Sequence, residues 1–197
     1  MGDPTRNFTV LAAVVSPLRT AGERVVTEIC TVSGLHPDFT VEDYVGLIRR
    51  IREEAPAAHI HASNPQEVAY AARQSGLSTR EVLDRMKEAG LGSLCGTAAE
   101  ILVDDVRREI CPGKILTEEW VRIIREAHLM GIPSTATIMY GHIDTAADRA
   151  RHLAVLREIQ DETGGFTEFV PLSFIPLDHP HLHLEAARAG ATRRAAS

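Results

Sequence analysis

The chain has no close-set cysteines. Cys30, Cys95 and Cys111 are the only three, odd in number and widely spaced. They make no CxxC pair and no disulfide framework, so buried, reduced thiols in a cytoplasmic protein are expected. Long apolar runs are missing too. None reaches the roughly 18 residues that mark a membrane helix. The longest near the N-terminus, residues 8–15, is short, follows a single Arg6 and gives way to Ser16-Pro17-Leu18-Arg19, a poor signal peptide. Without a secretion signal, the Asn7-Phe8-Thr9 sequon carries no weight. An excess of positive charge is also lacking. The formal net charge of -6 argues against nucleic acid and anionic membrane as partners. No linker splits the chain in two.

What is present fits one soluble domain. At 197 residues, 44% of them hydrophobic, the chain can build a real core. Strand candidates fall at residues 26–32, 58–63, 93–97, 134–140 and 166–174, each short and bounded by polar residues, Gly or Pro. Helix signals lie between them. Thr40 with Asp43 and Ser78 with Glu81 read as capping boxes, and Asn64-Pro65 with Glu67 as a cap followed by proline at the first position. Val41, Tyr44, Val45, Ile48 and Ile51 keep helical spacing, as do Val82, Leu83, Met86 and Ala89. Trp120, Ile123, Ile124 and Ala127 stripe a third helix, and Ala150, Leu153, Leu156 and Ile159 a fourth. Strand starts recur about every 30–40 residues, the period of βα units in a parallel sheet. Eight units make a barrel of about 250 residues. Five are countable here, so the pattern is part of such a barrel or a smaller open α/β sheet. Residues 1–24 and 186–197 fit it poorly, the latter as an Ala/Arg-rich tail.

Ligands of parallel α/β folds sit beyond the carboxyl ends of the strands. Polar residues gather at those places: Ser33-Gly34 and His36 after the first strand, His59 and His61 on the second, Glu100 after the third, Thr137, Tyr140 and His142 at the fourth, and Glu168 on the fifth. His59 and His61, two apart, point to one face. They read as a metal pair completed by His142 or Glu168, as contacts to a substrate or cofactor, or as hydrogen-bonded lining of a polar interior. Gly34 allows close approach of a ligand or makes a tight turn. Glu100 is a ligand-binding carboxylate or the third residue of a Thr97-x-x-Glu100 capping box. Glu168 shares a face with Phe166 and Val170, where a carboxylate needs a partner or a function. His179, His181 and His183 alternate in a proline-broken segment and read as solvated loop.

Several runs are familiar together: Thr27-Glu28-Ile29-Cys30 with Gly34-Leu35-His36-Pro37; His59-Ile60-His61-Ala62; Gly96-Thr97-Ala98-Ala99-Glu100; Ile110-Cys111-Pro112 with Lys114; Thr137-Ile138-Met139-Tyr140-Gly141-His142; and Gly164-Gly165-Phe166-Thr167-Glu168. In this order they resemble the tyrosine-using half of FO synthase, a radical S-adenosylmethionine (SAM) enzyme. The likeness runs over about residues 25–185. It implies a partial radical SAM (β/α) TIM-type barrel of five units. It implies S-adenosylmethionine and a [4Fe-4S] cluster as cofactors, and transfer of a hydroxybenzyl group from tyrosine to a ribityl-diaminouracil on the way to a deazaflavin. By position, Ser33, Gly34 and Glu100 would lie by the cofactor, and His36, His59, His61, Thr137, Tyr140, His142 and Glu168 would line the substrate cavity.

The departures are as informative. The family's Cys-x-x-x-Cys-x-x-Cys motif is absent, and cluster chemistry needs thiolate ligands. Ser33 stands where the family usually has glycine, and Cys95 where it usually has proline. The expectation is therefore an incomplete piece of an FO synthase-like enzyme, inactive alone, with a chain supplying the missing barrel strands as one candidate partner. The alternatives are a non-catalytic binding or assembly remnant, and a metal-dependent barrel hydrolase using His59 and His61.

Overall fold

The computed structural model describes residues 26–175. The whole 1–24 segment, with the 8–15 run and the sequon in it, the three alternating histidines and the 186–197 tail lie outside the described residues. Five strands alternate with six helices: β1 (Glu28–Thr31), α1 (Val41–Glu54), β2 (His59–Ala62), α2 (Pro65–Ser75), α3 (Thr79–Glu88), β3 (Ser93–Leu94), α4 (Asp104–Ile110), α5 (Thr117–Leu129), β4 (Ser134–Tyr140), α6 (Ala146–Thr163) and β5 (Phe166–Ser173). All neighbouring strands are parallel and the sheet order is β1-β2-β3-β4-β5. The sheet curls into part of a barrel, with β1 and β5 as its edges.

The helices begin where local chemistry starts them. Thr40 and Asp43 exchange bonds at the start of α1, and Ser78 and Glu81 at the start of α3. The Asn64 side chain accepts the Glu67 N–H ahead of Pro65 in α2. Apolar faces of α1, α2, α3, α5 and α6 close on Ile60, Ala62, Leu94 and Ala136 of the strands as one core. Trp120 is fully buried there, its indole N–H on the Thr97 carbonyl at 3.1 Å. No helix among the described residues is long and apolar enough to cross a membrane.

Three expectations give way. No helix starts at Thr97: Ala98 and Glu100 hold left-handed φ values of 59° and 43°, which a right-handed helix excludes. The helix that follows is the short α4, starting after Val103. On α6 the buried stripe is His152, Leu156 and Ile159, and Leu153 and Ala150 turn outward. His152 faces inward because its Nδ1 accepts the Leu102 N–H at 2.9 Å. Finally, Phe166 and Glu168 do not share a face. A register shift between Ser134 and Thr135 pairs Phe166 with Ser134 and Glu168 with Thr135, which are consecutive residues. Phe166 packs on the core beside His128, and Glu168 keeps the face of Val170.

Candidate functional site

The face of the sheet turned away from the helices carries a polar row. In register, Glu28 pairs with His59, Cys30 with His61, His61 with Ser93, and Thr135 with Glu168. Paired residues of parallel strands share a face, so these side chains line one concave surface. At its centre the Ser93 hydroxyl sits 2.7 Å from His59 Nε2 and 2.7 Å from His61 Nδ1. One hydroxyl has one proton to give, so at least one of the two rings must present an N–H to it. His61 is buried, and burial holds its pKa below the usual imidazole range against the raising effect of Glu28. At neutral pH it is a neutral ring. The two histidines point to one face as expected. His142 does not complete a metal pair with them: its Nε2 lies 2.9 Å from the Met139 carbonyl and its Nδ1 accepts the Ile143 N–H.

A second group lies at the carboxyl ends of β1 and β2. Ser33 donates its N–H (2.6 Å) and its hydroxyl to Oε1 of Glu67, which is 1% exposed. Burial pushes the Glu67 carboxyl up, and the Ser33 bonds oppose that. Its other oxygen and the Tyr44 hydroxyl are buried with no hydrogen-bond partner among the described residues. Burial and then the Glu67 charge push Tyr44 up to about 12. Gly34 has open space around it, so no close approach demands glycine there. His36 folds back on its own turn, its Nδ1 taking the Asp38 N–H at 3.2 Å.

The loop after β3 is held from inside. Arg107, 1% exposed, donates to the carbonyls of Ala98, Ala99, Ile101 and Ile115. Ser63, Ala98 and Glu100 are the non-glycine residues with left-handed φ among those described, all at the ends of β2 and β3. Strained backbone of this kind clusters at binding sites. Glu100 reaches Lys114 as an ion pair. Gly96 is gripped by β4: its N–H donates to Thr135 Oγ1 and its carbonyl accepts from Thr137 Oγ1, both at 2.9 Å. Thr137 is thus spent on positioning the loop. Tyr140 is not on the concave face. It packs with Ile101, Val106 and Ile138 on the helix side.

Residue reasoning missed Ser93, Glu67, Arg107 and the meeting of Cys30 with Cys95. Parity along the third strand was the available signal for two of them, since Ser93 and Cys95 are two apart and share a face. Donor atoms of Cys30, His61 and Cys95 lie within 4.8 Å of one another. Burial, then the neighbouring Cys30, pushes the Cys95 thiol up.

Residues 6–156 match the Radical SAM superfamily, so the likeness reaches further toward the N-terminus than residue 25. The chain is 65% identical over 193 residues to a 5-amino-6-(D-ribitylamino)uracil–L-tyrosine 4-hydroxyphenyl transferase of Methanoculleus marisnigri, covering 98% of this chain and 53% of that protein. Proteins of the same name from Methanosphaerula palustris and Archaeoglobus fulgidus are 68% identical over 174 residues and 52% over 149, covering 88% and 76% of this chain and 48% and 43% of theirs. The chain spans about half the length of the curated relatives it matches. Radical SAM proteins use S-adenosylmethionine and a [4Fe-4S] cluster. The donor set of this chain does not fit the cluster. Its three cysteines stand on β1, after β3 and at the end of α4, and the two that meet do so with a histidine, closely enough for a single ion.

Proposed function

Since the chain belongs to the radical SAM superfamily, we propose that it forms the substrate-holding wall of a 4-hydroxyphenyl transferase acting on tyrosine and 5-amino-6-(D-ribitylamino)uracil. The observation that carries this is the polar row on the concave face of a chain 65% identical to a transferase of that name. The substrates suit the row. A ribityl chain offers hydroxyls and a diaminouracil offers N–H donors. Glu28 and Glu168 can accept from them, and the neutral His61 can accept or donate one proton. Ser93 between His59 and His61 fixes both rings, so the row is ordered before a substrate arrives. Ser33, Gly34 and Glu100 are the residues proposed for the cofactor side, where Glu67 fixes Ser33 and Arg107 fixes the Glu100 loop. His36, Thr137 and His142 act by shaping the surrounding loops.

The same reading includes a partner and a compartment. Strands from the rest of a barrel, on this polypeptide or another, would cover the edges at β1 and β5. Phe169, Leu172 and Ile175 on and after β5, and Val32 and Leu35 after β1, are exposed apolar side chains that such strands would bury. The cytoplasm suits three unpaired cysteines.

Equilibrium binding tests the function. Isothermal titration of the chain with the aminouracil, and separately with tyrosine, should give saturable binding of at least one. His61→Ala should weaken it tenfold or more while the circular dichroism spectrum is kept. Binding of neither compound, or binding indifferent to His61 and Glu168, would overturn the reading.

A further inference from the structure

Cys30 and Cys95 have no part in the proposed substrate contacts, and with His61 of the same row they make a donor set. Cys30 on β1 is the register partner of His61 on β2. Cys95 reaches the same place from beyond β3, its N–H bonded to the Ser63 carbonyl at 2.8 Å. One atom from each lies within 4.8 Å of the others. Three strands thus deliver two sulfurs and a ring nitrogen to one spot, on rigid backbone. Sulfur and imidazole donors select a thiophilic ion, where a hard cation would require oxygens.

The histidine is held as a metal ligand is held. Its Nδ1 is taken by Ser93, so Nε2 is the ring nitrogen open to a cation. Ser93 is itself fixed from the other side by His59. An outer partner on the second ring nitrogen is the usual support of a ligating imidazole. Cys95 and His61 are buried, whereas Cys30 is exposed, so the set has a closed floor and an open side. The charge balance also suits a dication: two thiolates neutralise it, and Glu28 stands next in the row.

We infer that Cys30, His61 and Cys95 bind one zinc ion on the concave face. Three protein ligands leave a fourth position, open on the exposed side, for water or an oxygen or nitrogen donor of a bound molecule. His59 and Ser93 are positioning residues for this site. The site shares His61 with the proposed function, but the two are tested apart: Cys30→Ser and Cys95→Ser read the zinc site, and titration of the zinc-free chain reads substrate binding.

The full chain, reduced and stripped with a chelator, should take up one equivalent of Zn2+ in competition with a chromophoric chelator. Co2+ in its place should give a thiolate-to-cobalt charge-transfer band and the intense visible bands of a tetrahedral site. Cys30→Ser and Cys95→Ser should each abolish the charge-transfer contribution of that sulfur and weaken Zn2+ binding by a hundredfold or more. Ser93→Ala should weaken it by roughly 10–100-fold. Cys111→Ser should change nothing. In the unaltered chain, Zn2+ should shield Cys30 and Cys95, but not Cys111, from alkylation, and this readout needs no variant to fold. Equal alkylation of all three cysteines with and without Zn2+ would overturn the inference. So would Zn2+ uptake that persists in the Cys30→Ser/Cys95→Ser double variant, which would place the ion on other histidines.

Discussion

Ser33 gives both its backbone N–H and its hydroxyl to one oxygen of Glu67, across thirty-four residues of sequence. The end of β1 is thereby tied to the first turn of α2. In Ser33→Ala the hydroxyl bond is lost and the backbone bond remains. The unfolding free energy should fall by about 1 kcal/mol. The Glu67 carboxyl should titrate at higher pH than in the unaltered chain, because the Ser33 bonds are what oppose its burial. Urea unfolding and a carbon-13 carboxyl titration would measure the two effects. An unchanged Glu67 titration would show that the hydroxyl bond does not act on it.

His152 sets a pH limit on stability. Burial holds its ring near 4, well below the ordinary 6.5. Its neutral form is therefore the one the fold accepts. That contribution is complete above pH 6.5 and is lost as the pH falls from there toward 4, where the unfolded chain binds a proton that the folded chain refuses. The loss should be on the order of 3 kcal/mol at pH 4 for this one residue. His128, also held near 4 by burial, acts in the same direction. Unfolding measured in steps from pH 7.5 to pH 4 should show the decline, and His152→Gln should make it shallower. A slope unchanged by that substitution would assign the decline to other groups.

Gly96 admits no side chain. A Cβ there would run into the carbonyl of Thr135 and close to Cα of Ala136, both backbone atoms. Gly96→Ala must move β3 away from β4 and break the grip of Thr135 and Thr137 on the loop. The expected cost is about 3 kcal/mol or more, at the upper end for overpacking. A thermal melt of the variant should be lowered by several degrees at least. An unmoved melting temperature would contradict the close approach.

Arg107 is the support of the Glu100 loop. Replacing it with Met removes the donor for up to four carbonyls in one step. Each acceptor left buried and unpaired costs about 1–3 kcal/mol, so a loss of at least about 3 kcal/mol is expected. Arg107→Lys should rescue little, because one ammonium cannot reproduce the planar fork. Hydrogen exchange at residues 98–103 should accelerate in both variants more than exchange in α1. Uniform acceleration across the chain would mean that Arg107 supports the whole fold and not this loop in particular.

The strands, the caps of α1, α2 and α3, and the parallel order were legible because each rests on a local signal. Thr40 with Asp43, Ser78 with Glu81 and Asn64 before Pro65 all act within four residues of chain. The elements that were not legible depend on distant partners. Alpha-helix α4 has seven residues and little apolar periodicity, so nothing in its own sequence marks it. Arg107 and Glu67 read as ordinary helix charges, and only the packing of other elements over them makes them buried. His152 displaced Leu153 from the inner face because the Leu102 N–H needs an acceptor fifty residues away. Within the site, His59 and His61 were found because a spacing of two fixes a common face. The same parity separates Thr137 from Tyr140, and it was not applied there. No parity rule foresees the register shift at Ser134 that parts Glu168 from Phe166.

The sequential strand order has a further consequence, for how the chain assembles. Among the described residues, each strand after β1 pairs with the strand one βα unit before it. Loop-closure entropy rises only slowly with length, so each pairing carries a similar and modest entropic cost. Contacts of short sequence separation favour fast folding. A growing chain can therefore add units in order as it leaves the ribosome, each new strand docking on an edge that is already formed.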